Sequence, residues 1–215
     1  PMKSFLNNTW QLSIPVIGAP MSPQSGGRLA AAISRAGGLG MLGVAASQSV
    51  AQLQADADEC RALGARFGIG LMTWVVEQRP ELLDAAIAAR PFALSMSFGD
   101  PSPYVARVRD AGIELVCQVQ DLQSALVAER AGATLLVAQG TEAGGHSGDI
   151  ATMPLIRHVA AVVDKYKVNK FGKKLHIVAA GGIADGNAMA AALMLGAEAV
   201  WCGTSFICAS EIGGS

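Results

Sequence analysis

Aromatic side chains are scarce in this sequence, at 5% of 215 residues. The core must therefore be packed from aliphatic and small side chains. Charge is scarce too, at 15% against 51% hydrophobic residues. Much of the chain must then be interior, and its length suits one well-buried core rather than two. With a net charge of −1, the electrostatic footprint of a nucleic-acid-binding protein is not expected. Long apolar runs are missing: Gly, Asp or Arg breaks every stretch before the roughly 18 residues that a membrane helix needs. No membrane partner is expected. The opening Pro1-Met2-Lys3-Ser4-Phe5 has no apolar segment after its lysine, so it does not read as a signal peptide. The four cysteines, Cys60, Cys117, Cys202 and Cys208, form no C-x-x-C pair. Cys117 and Cys202 fall in apolar runs that read as buried strands, where a thiol behaves as a small hydrophobe. A reducing compartment and a cytoplasmic location follow as expectations. His146, His158 and His176 are too dispersed for metal-ligand spacing, so no metal site is expected.

What the chain does have is an alternation that runs from end to end. Strand-like apolar runs lie near Val16–Ala19, Leu39–Leu42, Phe67–Met72, Ala93–Ser97, Glu114–Val119, Thr134–Gln139, His176–Ala180 and Ala199–Gly203. Helical stretches lie between them, near Gly27–Ala36, Ser49–Leu63, Pro80–Ala89, Pro103–Ala111, Leu122–Ala131, Pro154–Lys165 and Gly186–Leu195. Leu122, Ala125, Leu126 and Glu129 illustrate the two-faced helical spacing. Five of these helices run into a glycine, at Gly37, Gly64, Gly112, Gly132 and Gly196, the usual left-handed stop. The strands are continuous apolar runs, which favours parallel strands covered on both faces. Eight of them with seven intervening helices predict a (β/α)8 TIM barrel, a doubly wound open sheet being the alternative. The sequence stops just after the eighth strand, so one domain over 1–215 is expected, without the eighth helix and any closing segment. The apolar surface this would expose favours a homo-oligomer. Lys165 to Lys174 is the one lysine-rich surface loop.

Chemistry is expected where the strands end. Gln139 to Gly148 places four glycines and His146 in one loop after an apolar strand. Glycine lets backbone approach a ligand, and histidine is suited to moving protons near neutral pH. Gly181-Gly182 ends a second strand and Gly203-Thr204 a third. Three strand ends offering bare amides point to a phosphate-bearing cofactor. His146 is the candidate acid–base residue. Glu142 is either its partner or a structural hydrogen-bond acceptor. Gly38-Leu39-Gly40-Met41-Leu42-Gly43 spells G-x-G-x-x-G, but a helix precedes it and a strand lies within it. That is the wrong order for a dinucleotide fingerprint, so it reads as a tight helix-to-strand packing turn. Ala19-Pro20-Met21, ending the first strand, could support a flat ring. Cys202 and Cys208 read as packing residues, and Ser205 lacks a nucleophile-elbow context.

These segments, from Pro15–Met21 and Leu29–Gly40 through the Glu142–His146 loop to Ala179–Gly186 and Gly203–Phe206, resemble the nitronate monooxygenase family, formerly called 2-nitropropane dioxygenase. They are similar as well to its relatives, the FMN-dependent enoyl-acyl-carrier-protein reductases. The resemblance implies an FMN-binding TIM barrel. Ala19 and Met21 would border the flavin, and Gln118 would point toward it. Ala143, Gly144, Gly181, Gly182, Gly203 and Thr204 would hold the phosphate and ribityl chain, with His146 as the acid–base residue. The implied substrates are an alkyl nitronate or nitroalkane and dioxygen. The alternatives are reduction of an enoyl thioester by a nicotinamide through FMN, and a flavin binder without catalysis.

Overall fold

A computed structural model of the protein describes residues 5–213. The leader reading at Pro1–Ser4 and the last two residues of the chain lie outside that range. The described elements run α1 (Phe5–Asn8), β1 (Val16–Gly18), α2 (Gly27–Arg35), β2 (Gly40–Gly43), α3 (Val50–Ala62), β3 (Phe67–Met72), α4 (Thr73–Gln78), α5 (Pro80–Ala88), β4 (Ala93–Ser97), α6 (Val105–Asp110), β5 (Glu114–Val119), α7 (Leu122–Ala131), β6 (Leu135–Gln139), α8 (Thr152–Tyr166), β7 (His176–Ala180), α9 (Gly186–Met194) and β8 (Ala199–Cys202). A 3-10 turn at Thr204–Phe206 follows. The strands lie in the order β1-β8-β7-β6-β5-β4-β3-β2 and every pair is parallel. An isolated parallel bridge between Ile17 and Leu39 joins the ends. It consists of Leu39 N–H donating to Val16 O at 3.1 Å and Gly18 N–H to Leu39 O at 2.8 Å. The sheet is thus a nearly closed (β/α)8 barrel, as the alternation predicts.

The barrel separates two apolar layers. Ile17, Leu39, Met41, Val116, Val137, Val178 and Trp201 fill its interior. Leu42, Ile69, Leu94, Leu136 and Ile177 face outward onto the helices, meeting Leu53, Leu82 and Val159. Leu6, Trp10 and Leu12 join the interior layer, with Trp10 edge-on to Phe92 at 5.1 Å. Phe92 precedes β4, so this segment plugs the N-terminal mouth of the barrel and leaves the C-terminal mouth for the site.

All five glycine stops adopt positive φ: Gly37 at 102°, Gly64 at 64°, Gly112 at 73°, Gly132 at 107° and Gly196 at 112°. The G-x-G-x-x-G run is a packing element. A Cβ at Gly40 would overlap the Ala30 backbone of α2, and one at Gly43 would fall 2.6 Å from Met21 C and Ser22 N. Its glycines therefore set how closely α2 and the segment after β1 approach β2.

Some expectations need correction. Two short helices were not expected. α1 and α4 have 4 and 6 residues, too few to show a helical period. The helix expected from Pro154 starts at Thr152. In α7 the buried face is Ala125, Ala128, Glu129 and Ala131, while Leu122 is exposed at the helix start, at the barrel rim. Cys117 is buried as expected, and burial pushes its thiol up to about 12. Cys202 closes β8 and is only half-buried.

Candidate active site

At the C-terminal ends of the strands a cleft of about 700 Å³ opens, within the usual range for cofactor and ligand sites. Strand register builds its floor. Ser97 pairs with Gln118, Gln139 with Ala180, and Ala180 with Trp201. These residues, with Gly70 of β3, all line the cleft. The walls are strand-end loops. His146 and all nine candidate binding residues line it: Ala19, Met21, Gln118, Ala143, Gly144, Gly181, Gly182, Gly203 and Thr204. Among the described residues no lysine or arginine does.

Close backbone approach shapes this wall. Gly181 has φ 119°, and a Cβ there would lie 3.0 Å from Ala143 N. Gly182 and Gly145 have φ 67° and 74°. A Cβ on Gly203 would lie 3.0 Å from Met21 Sδ and 3.2 Å from Ala19 Cβ, so the end of β8 rests directly on the end of β1. Gly144 faces Thr204 Oγ1, 3.6 Å from where its Cβ would stand. A ligand at this wall meets main chain, and an anion would be held by amides rather than by cationic side chains.

Glu142 resolves to the structural role. Its Oε2 accepts from Thr152 N–H at 2.9 Å, Thr152 Oγ1 at 2.7 Å and Thr141 Oγ1 at 3.2 Å. These bonds, the Thr152 hydroxyl foremost, lower its carboxyl below the usual range. Glu142 thus caps α8 from a distance, because Ala151 at the N-cap offers no side-chain bond. It is the only carboxylate lining the cleft among the described residues.

His146 stands exposed at the rim. Its carbonyl accepts from Gln139 Nε2 at 2.9 Å, and Gln139 Oε1 accepts from Gln120 Nε2 at 2.9 Å. Its ring lies 5.5 Å from the ring of Phe98 and 6.5 Å from that of Trp74. No hydrogen bond or ion pair engages its ring nitrogens among the described residues, and the residue lines the cleft. Phe98 takes a left-handed backbone, φ 62°, a strained conformation typical of functional positions. Thr73 Oγ1, at the start of α4, donates to Ser97 O at 3.1 Å and ties Trp74's helix to the end of β4.

Gln139, Phe98 and Trp74 are absent from the expected site. Gln139 had a signal, since a polar residue closing an apolar strand is out of place unless it is bonded. Phe98-Gly99 reads only as a strand terminator, and Trp74 lies on a helix too short to foresee. His158 is exposed on α8. His176 is fully buried at the opposite mouth, with Nδ1 2.6 Å from Glu198 Oε1. Cys202 Sγ donates to Ile183 O at 3.5 Å and lines the cleft, its thiol raised by burial.

Residues 78–215 match the nitronate monooxygenase family. Over 92% of its length the chain is 33% identical to a nitronate monooxygenase of Paraburkholderia phytofirmans and 35% identical to one of Pseudomonas aeruginosa. It spans 64% and 67% of those relatives' lengths. Among solved structures, FabK from Thermotoga maritima superposes with a TM-score of 0.88 at 30% identity, covering 99% of this chain and 65% of that one. A nitroalkane oxidase from Streptomyces ansochromogenes superposes with a TM-score of 0.80 at 30% identity, covering 96% of this chain and 70% of that one.

Proposed function

The chain belongs to the nitronate monooxygenase family, and we propose that it is an FMN-dependent oxidoreductase acting on alkyl nitronates and nitroalkanes with dioxygen. One observation carries this reading: among the described residues, a histidine whose ring nitrogens have no hydrogen-bond partner lines a cleft walled by bare strand-end backbone, with no lysine or arginine in its lining. That wall fits a flavin mononucleotide. The positive-φ turns at Gly181 and Gly182 would present main chain to a single terminal phosphate, and the described residues form no Rossmann unit for an adenosine half. Ala143, Gly144, Gly203 and Thr204 would hold the phosphate and ribityl chain. Ala19 and Met21 would lie along the ring, with Gln118 and Gln139 at the floor. When bound, FMN supplies the two-electron redox chemistry and its passage to dioxygen.

The chain's own residues supply position and a base. A neutral nitroalkane carries an acidic proton on the carbon bearing nitrogen, and His146 takes it. Gln139 holds the loop that carries His146, while Phe98 and Trp74 flank the imidazole. Glu142 is committed to α8 and is not a second base. The lining offers no cationic anchor for a large anionic substrate, which suits a small neutral one.

The test is the visible spectrum of the purified protein under anaerobic conditions. A bound flavin that bleaches on adding a nitronate is expected, and heat should release a species of FMN mass. FAD mass, or an unchanged spectrum, contradicts the reading. The likeness to FabK keeps reduction of an enoyl thioester as the second reading. NADH oxidation that depends on an enoyl thioester, without nitronate turnover, would select it.

A further inference from the structure

Five of the chain's six lysines, Lys165, Lys167, Lys170, Lys173 and Lys174, fall within ten residues between α8 and β7; its ten arginines are scattered. The segment is a built hairpin. Val168 and Lys174 form an antiparallel bridge. Asn169, 3% exposed, fastens it to the barrel. Its Nδ2 donates to Gly132 O and Ala133 O at 2.8 and 3.1 Å, and its Oδ1 accepts from Phe171 N–H and Lys173 N–H at 3.0 and 3.1 Å. Because β7 starts at His176, the hairpin stands at the N-terminal mouth of the barrel, opposite the cleft.

Its surface is cationic and apolar at once. Lys173 pairs with Glu114 at 2.8 Å. Among the described residues, Lys165, Lys167, Lys170 and Lys174 have no carboxylate within ion-pair distance. Tyr166, Val168 and Phe171 alternate with them and are 36%, 46% and 40% exposed. Arg109 adds a further guanidinium 4.9 Å from the Phe171 ring; its charge is shared with Asp110.

We propose that this hairpin docks the protein against an anionic lipid surface. Lysines that serve only solubility can stand anywhere on a surface, mixed with acids. Here they are gathered in one hairpin together with the exposed Tyr166, Val168 and Phe171. That combination suits a bilayer interface, where ammonium groups meet headgroup phosphates and aromatic or aliphatic side chains enter the boundary region. The overall charge of −1 does not oppose it, because screening over about 8 Å hides the far side of the barrel from the membrane. Nucleic acid fits less well. The bases of a nucleic acid would need a stacking platform within a basic groove, and among the described residues no lysine or arginine lines the cleft described above. No described helix is long and apolar enough to cross a membrane, so the mode is surface attachment. It leaves the cleft facing water, on the side away from the lipid.

The test is co-sedimentation of the full chain with vesicles. Pelleting with phosphatidylcholine vesicles containing phosphatidylglycerol at 0.1 M salt is expected, with none on pure phosphatidylcholine and release at 1 M salt. Each lysine removed should lower partitioning about fivefold. The quadruple variant Lys165→Gln, Lys167→Gln, Lys170→Gln, Lys174→Gln should therefore stay in solution with its melting temperature unchanged. Phe171→Ser should weaken binding while keeping its salt dependence. Wild type remaining in solution, the quadruple variant pelleting like wild type, or single-stranded RNA stripping the protein from vesicles at equal phosphate would each overturn the proposal.

Discussion

At the residue scale the sharpest consequence concerns His146. His146→Ala should keep bound FMN yet lose about 10²–10⁴-fold in rate on neutral nitroalkanes. Preformed nitronates, which have already given up the proton, should suffer much less. Steady-state rates on both forms at matched pH and oxygen decide it. Equal losses would mean that His146 positions substrate rather than removing a proton. Glu142 belongs to stability instead. A carboxyl held below its usual range contributes stability that is fully present above the unfolded value, near 4.5, and is lost as pH falls through the lower folded value. Glu142→Gln should therefore flatten the acid limb of the melting-temperature profile below about pH 5. Glu142→Ala should cost about 1 kcal/mol at pH 7, as the loss of a helix cap does. An acid limb identical to wild type in Glu142→Gln would show that these bonds are not maintained in solution.

Elements show what a sequence can and cannot disclose. The strands of this barrel were legible because covered parallel strands are continuous apolar runs, and because Gly37, Gly64, Gly112, Gly132 and Gly196 mark the helix ends with positive φ. All ten residues proposed for the site line one cleft; the strand-end glycines, Thr204, Ala19, Met21 and His146 stand out in the sequence pattern, whereas Gln118 and Ala143 come only with the family resemblance. Gln139 carried a signal as a polar strand end, although its bond to His146 O could not be foreseen. Phe98 and Trp74 were not legible, because the helix carrying Trp74 is placed by the bond from Thr73 to the distant Ser97 O. The G-x-G-x-x-G run shows how one pattern can carry two meanings. Element order excluded the dinucleotide reading, and the structure supplies the other: α2 packed on bare β2. Gly40→Ala tests it, since the new methyl would overlap the Ala30 carbonyl. Overpacking of this kind costs about 1–3 kcal/mol, to be read from the urea midpoint. A neutral substitution would mean that α2 moves away freely.

For the whole molecule, the barrel is least firmly joined between β1 and β2. β1 has three residues, and among the described residues its strand pairing on β2's side is limited to the Ile17–Leu39 bridge. By contrast, β3 and β4 align over five residue pairs. The proposed cofactor wall runs from the ends of β6, β7 and β8 to Ala19 and Met21 after β1, on the β8 flank of that short strand. A cofactor seated there would tie the end of β1 to β8 through groups on both sides. A ligand that binds only the native state adds about 2.7 kcal/mol at a hundredfold excess over its dissociation constant. Only openings that release the ligand are suppressed. Hydrogen exchange should therefore slow by up to about a hundredfold on adding FMN at residues 17–21 and 203–206. Amides that fray locally in α5 and α6 should exchange as before, since their openings leave the cleft intact. FMN that raises the melting temperature but leaves residues 17–21 unchanged would have to bind away from this seam. The assignment of Ala19, Met21, Gly203 and Thr204 to the cofactor would then fall.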